Sequence, residues 1–124
     1  MTLIKKSGIH NVTGISDNEK RDIINFLQGA VYCWCKNRKS KWFALRDLMG
    51  GDNYYWEGTP MCVLYDKHHK DLGKSSDDAV KGAAKDAGWL LKRMLDDDKR
   101  HFHTNDEGYV NQYLWDGDPS NETS

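Results

Sequence analysis

Apolar residues recur at three- and four-residue spacing in two long stretches of the chain. In the first, Ile23, Phe26, Leu27, Ala30, Val31 and Trp34 form one arc, with Tyr32 pointing away, which predicts an amphipathic helix. Ser16 followed three residues later by Glu19 is a capping box that opens this helix. In the second stretch, Val80, Ala83, Ala84, Ala87, Leu90, Leu91, Met94 and Leu95 make a single stripe over about five turns. Ser76 is the expected N-cap, Asp77 and Asp78 place negative charge where the helix dipole favours it, and Asp96, Asp97 and Asp98 mark the break. The small residues in the N-terminal half of this stripe let a neighbouring element approach closely.

Between these helices the pattern is shorter. Ser40 is a candidate cap for a brief helix through Leu45 and Leu48, stopped by Gly50 and Gly51. Thr59-Pro60 restarts a helix whose stripe is Met61, Leu64, Tyr65 and His68. Residues 71–75, with Gly73, turn into the long helix. After the aspartates the period changes to two: residues 100–104 and 109–115 read as strands joined by Asn105-Asp106-Glu107-Gly108. Phe102, Val110 and Leu114 are one candidate face of this hairpin, and Tyr109, Tyr113 and Trp115 are the other; periodicity alone does not say which is inward. The expectation is an α+β fold, mostly α, with a helical core and a C-terminal antiparallel hairpin. Residues 1–15 read as an arm or edge strand, 16–115 as one domain and 116–124 as a flexible acidic tail.

Composition narrows the function. A chain of 124 residues with five Trp, six Tyr and three Phe can bury one modest, ring-rich core. The formal charge of −1 creates no global field, so binding to a polyanion has to come from local patches. Neither an apolar leader nor a membrane-length apolar run is present, which points to a cytoplasmic protein with no membrane partner. Cys33, Cys35 and Cys62 are odd in number, and Cys33 and Cys35 face apart on a helix, so reduced packing thiols are expected. The aromatic run Tyr54-Tyr55-Trp56 reads as a core plug in preference to a pocket lining.

Two binding surfaces stand out. Trp89 projects opposite the stripe of the long helix, with Lys85 and Arg93 four residues away and Lys92 and Asp86 three away; Lys81 joins them as a candidate contact. An indole among cations suits phosphate contact and base stacking, while a core role under a covering element is the competing reading. Lys36, Arg38, Lys39 and Lys41 form the most basic run, followed by Trp42 and Phe43; it is either a phosphate contact or a solvated helix end. The second surface is the Tyr109, Tyr113 and Trp115 face of the hairpin, a candidate for a protein partner or a homodimer. His101 and His103 share a strand face and could ligate a metal with a third residue, of which His68 and His69 can supply only one easily. Surface histidines of a basic hairpin are the favoured reading, and neither a metal nor another cofactor is expected. No P-loop, dinucleotide fingerprint, zinc-protease helix or nucleophile elbow occurs. A binding module is favoured over an enzyme, with a small enzyme using an unrecognised pocket as the remaining alternative.

Residues 59–115 resemble a winged helix-turn-helix domain in their order of elements: Thr59-Pro60, the Gly73 turn, Trp89-Leu90-Leu91-Lys92-Arg93, then Phe102 through Tyr113 as the wing. The resemblance implies that the long helix enters a DNA groove. Asp77, Asp78 and Asp86 near its start, and Asp106-Glu107 at the wing tip, fit a protein-binding member of that family nearly as well.

Overall fold

The structure is a computed structural model that describes residues 11–37, 41–49, 56–98, 102–105 and 111–115. The expected tail, most of the N-terminal arm, Arg38, Lys39, Ser40, Tyr54, Tyr55, His101, the hairpin turn and Tyr109 lie outside the described residues. The fold is mostly helical with a two-stranded antiparallel sheet at its C-terminal end. Its elements are α1 (Asp17–Asn37), α2 (Leu45–Leu48), α3 (Cys62–Asp66), a π-helical turn (Lys67–Asp71), α4 (Ser76–Asp97), β1 (Phe102–Asn105) and β2 (Gln112–Trp115).

Helix α1 begins at the capping box. The Glu19 amide donates to Ser16 Oγ at 3.0 Å, and the Ser16 amide donates to Glu19 Oε1 at 2.8 Å. Two otherwise orphaned N–H groups are thereby satisfied. The buried line is Ile23, Leu27, Val31 and Cys35, while Phe26, Ala30 and Trp34 flank it and Tyr32 is exposed.

The cap of α4 falls one residue earlier than expected, on Ser75, whose Oγ accepts from the Asp78 amide. The buried stripe accordingly starts at Ala79 instead of Val80 and continues through Ala83, Ala87, Leu90, Leu91, Met94 and Leu95. Thr59 does not cap α3 directly. Its hydroxyl donates to the Trp56 carbonyl and accepts from the Met61 amide, shaping a turn that leads into Cys62. In α2 the amide of Ala44 is satisfied by Asp47 Oδ2 at 2.8 Å.

Two tie points orient α1 against α4. Near the start of α1, Gly14 abuts the side chain of Lys67, which is bound to Asp86 on α4. Further along, Gln28 Nε2 donates to Asp98 Oδ2, just past the end of α4. The two helices therefore run in the same general direction.

The hairpin closes the core from the other end. Phe102 pairs with Trp115 and Thr104 with Tyr113, so Phe102, Tyr113 and Trp115 share the inward face. Phe43, just ahead of α2, exchanges two backbone hydrogen bonds with Tyr113, at 2.9 and 2.8 Å. Its fully buried ring lies 5.8 Å from Trp34, 5.9 Å from Tyr113 and 6.1 Å from Phe102, edge-on to the last. Trp56 is also buried, as a plug, with a left-handed backbone (φ 59°), and among the described residues its Nε1 has no hydrogen-bond partner. Among the described residues no helix is long and apolar enough to cross a membrane.

The π-helical turn is seated on α4 at Gly82. A Cβ there would lie 2.5 Å from Nδ1 of His68, so the two elements meet closely only because that position has no side chain. Gly88, on the same helix, has nothing within 4 Å of a would-be Cβ. Gly82→Ala should lower stability by about 1–3 kcal/mol through overpacking. Gly88→Ala should be neutral or stabilising by up to about 1 kcal/mol, from helix propensity alone. Urea titrations of the two variants check the contrast; equal effects would mean that the close approach at Gly82 carries no energy.

Candidate nucleic-acid interface on helix α4

The outward side of α4 is set by the residues its stripe leaves out. Lys81, Lys85, Trp89 and Arg93 follow one another at four-residue spacing and so form one line, about 18 Å long. Lys81, Lys85 and Arg93 are exposed. Lys92 stands beside the line, its Nζ 5.8 Å from the Trp89 ring centre, a cation–π distance. Asp77 and Asp78 are exposed at the N-terminal end and Asp97 at the C-terminal end.

Trp89 is not the uncovered indole that its place on the wheel predicts. It is partly buried and packs against the core cluster. A tryptophan ring is wide enough to reach the flank of the core from a position outside the stripe, so the wheel angle of its Cα misjudges where its area ends up.

Asp86 is the second departure. By sequence it is an acid that interrupts the cationic line. In the fold its side chain is only 16% exposed and is turned against the π-helical turn. Lys67 Nζ and His68 Nε2 both lie 2.7 Å from its Oδ2. The other ring nitrogen of His68, Nδ1, is 2.7 Å from Lys74 Nζ. An ammonium group only donates, so Nδ1 accepts and Nε2–H donates to Asp86. The carboxylate is thus neutralised from inside the molecule, and the line from Lys81 to Arg93 is left with cations alone. The sequence offers a partial signal for this arrangement: Gly82 four residues before Asp86, and the cationic run Lys67-His68-His69-Lys70 that must dock somewhere.

The basic run after α1 does not join this line. Lys36 is exposed at the end of α1, its Nζ 5.7 Å from the Tyr32 ring and 5.9 Å from the Trp115 ring. Gln28, which contacts Asp98, lies eight residues before Lys36, and Arg93 lies five residues before Asp98. With α1 and α4 running the same way, Lys36 and Arg93 are separated by roughly 20 Å along the helices. Lys41 is exposed next to the hairpin-bound Phe43, and its carbonyl accepts from Trp34 Nε1. Arg38 and Lys39 lie outside the described residues. The nine predicted contact residues therefore do not form one surface: Lys81, Lys85, Trp89, Lys92 and Arg93 do, and Lys36 and Lys41 sit at the hairpin end.

Of the hairpin face expected as a protein-binding surface, Tyr109 lies outside the described residues, and Tyr113 and Trp115 are turned into the core, 3% and 6% exposed. The physical reason is Phe43: its two backbone bonds to Tyr113 pull that face inward, leaving Leu114 half-buried on the other. Phe102, grouped by period with Leu114, instead pairs with Trp115.

Other chemistry is sparse among the described residues. No group of three His, Cys, Asp or Glu side chains is placed to hold a metal. An open groove between α1 and α2 is lined by Ala30, Cys33, Trp34, Asn37, Asp47 and Leu48, but its thiol has no base beside it there and Asp47 is engaged with the Ala44 amide. No disulfide joins Cys33, Cys35 and Cys62; Cys33 is exposed and Cys35 buried. No family model matches the chain, and no curated protein or solved structure matches it.

Cys62 is part-buried, and its thiol is pushed above the usual range by desolvation first and by Asp66 and Glu57 next, against a smaller opposing pull from Lys70. A raised thiol carries less reactive thiolate at a given pH. Iodoacetamide at pH 8 should label Cys33 well before Cys62, with the gap closing as alkali ionises Cys62. Peptide mass spectrometry reads the order; Cys62 labelling first would contradict its placement.

Proposed function

We propose that this protein is a non-enzymatic binding module that holds the phosphate backbone of a nucleic acid along the outward face of α4. The observation that carries the reading is the inward turn of Asp86. It leaves Lys81, Lys85 and Arg93 exposed along one line with no carboxylate among them, Trp89 between Lys85 and Arg93 and Lys92 at the flank. Such a line recruits phosphates by releasing their condensed counterions, and it needs no base-specific geometry.

The winged helix-turn-helix likeness supports the same reading. The π-helical turn is followed by four residues, among them Gly73 at φ 68°, then by α4 and the hairpin, which is the order of a helix-turn-helix with a wing. The charge layout shifts the contact within that scheme. Asp77 and Asp78 occupy the first turn of α4, where base edges are read in such domains, and they oppose phosphates. Contact along the middle and C-terminal half of α4 favours backbone holding over sequence reading. Trp89 serves this surface as a partly buried prop for Lys92, in place of a stacking platform.

Binding of the full chain to a fluorescent duplex at several salt concentrations tests the proposal. Lys85→Ala with Arg93→Ala should flatten the plot of log affinity against log salt by about two units in all, near one per lost phosphate contact. Thermal unfolding should hardly change, since both residues are exposed. Trp89→Ala should show the opposite pattern, losing about 2 kcal/mol of stability with a small change in affinity. Affinity indifferent to both cation replacements would place the interface elsewhere or remove it.

A further inference from the structure

The turn between the π-helical segment and α4 holds a chain of groups that ends on Asp86, the carboxylate turned away from the α4 surface. Lys74 Nζ donates to His68 Nδ1 at 2.7 Å, and His68 Nε2–H donates to Asp86 Oδ2 at 2.7 Å. The order is amine, imidazole, carboxylate. That is the arrangement in which a base removes a proton from a nucleophile while a third group orients the base. We propose that Lys74 is a modification site, acylated on Nζ by uncharged thioesters with His68 as the general base and Asp86 as its positioning residue.

Three features fix the geometry. His68 is buried, and its ring is pressed on Gly82, with Nδ1 and Cε1 2.5 and 2.6 Å from a would-be Cβ, so it is confined to this face. The backbone of Lys74 is held at both ends, its amide donating to the His68 carbonyl at 3.1 Å and its carbonyl meeting the His69 ring at 3.0 Å. Lys67 shares Asp86 Oδ2 with His68, which keeps the carboxylate in place. Lys74 is itself only partly buried, so an acyl donor can approach from solvent. Asp77 and Asp78, exposed in the first turn of α4 just beyond it, disfavour an anionic donor and leave an uncharged thioester as the matching class.

The step balances without an added reagent. The ammonium of Lys74 first loses one proton to solvent. The free amine attacks the thioester carbonyl, forming the C–N bond, while its second proton passes to His68 Nδ1. The imidazolium is stabilised by Asp86. The C–S bond then breaks, and His68 returns the proton to the departing thiolate. The products are an Nε-acyl lysine and a thiol. Asp86 is common to this inference and to the α4 surface, but the acylation of Lys74 is read without any nucleic acid present, so its failure and the failure of binding along α4 are separate results.

The test is site-resolved acylation of the intact chain by S-acetyl-N-acetylcysteamine at pH 8, followed by peptide mass spectrometry over time. Lys74 should be acetylated about a hundredfold faster than the exposed Lys81 and Lys85, at the low end of what a positioned general base supplies. His68→Gln should bring Lys74 down to the rate of Lys81 and leave Lys81 unchanged. If that variant loses its circular dichroism, Asp86→Asn provides the second measurement, since it retains the side-chain shape while withdrawing the charge; it too should slow Lys74 alone. Acetyl phosphate should discriminate less in favour of Lys74 than the neutral donor. Wild-type Lys74 reacting no faster than Lys81, or a fast rate that persists in a folded variant at His68 or Asp86, overturns the proposal.

Discussion

A carboxylate at Asp86 with 2.7 Å contacts to Lys67 and His68 is the point on which the rest of this molecule turns. Removing a charge from water is costly unless it is paired and hydrogen-bonded, and here two donors share one oxygen. The contact docks the π-helical turn onto α4 and fixes the His68 ring over Gly82. It also deletes a negative charge from the outer surface of the helix. Packing, local chemistry and surface electrostatics all pass through one side chain.

The π-helical turn fits this role. A wider helical turn shifts where successive side chains project and often marks a place where position matters more than regularity. Here it sets Lys67 and His68, adjacent in sequence, against the same oxygen of Asp86. The neighbouring His69 ring stacks with Tyr65, 5.2 Å between centres, and Tyr65 OH is 3.2 Å from Ser76 Oγ. The start of α4 is thereby tied to α3 independently of the Asp86 cluster.

What could be read from the sequence follows from how far apart the interacting residues are. The Ser16–Glu19 capping box is three residues wide, so its signature is complete within one turn, and it forms as expected. The stripe of α4 is nearly right for the same reason, with the shift to Ser75 and Ala79 small in comparison. The direction of the hairpin was not legible, because alternation gives two faces and no sign; Phe43, some seventy positions upstream of Tyr113, decides it. Asp86 was misread for a like reason. Its partners lie 18 and 19 residues away, and a local pattern sees only an acid among lysines. The candidate surface on α4 was therefore found from its spacing, but its freedom from internal acid is a tertiary property. Lys36 and Lys41 lie apart from this line because a basic composition says nothing about which end of a helix pair a residue occupies.

The buried indole of Trp56 has an optical consequence. The ring is 7% exposed and packs in the hydrophobic core, so solvent does little to relax its excited state, and its emission belongs at the blue edge of the tryptophan range. Trp42, 40% exposed, emits from water at the red edge. The left-handed backbone that holds Trp56 in place is tolerated only while the surrounding core enforces it. Trp115, 6% exposed, contributes to the same blue component, so a red shift of that component registers loosening of the core around Trp56 and Trp115, separately from any change at the surface.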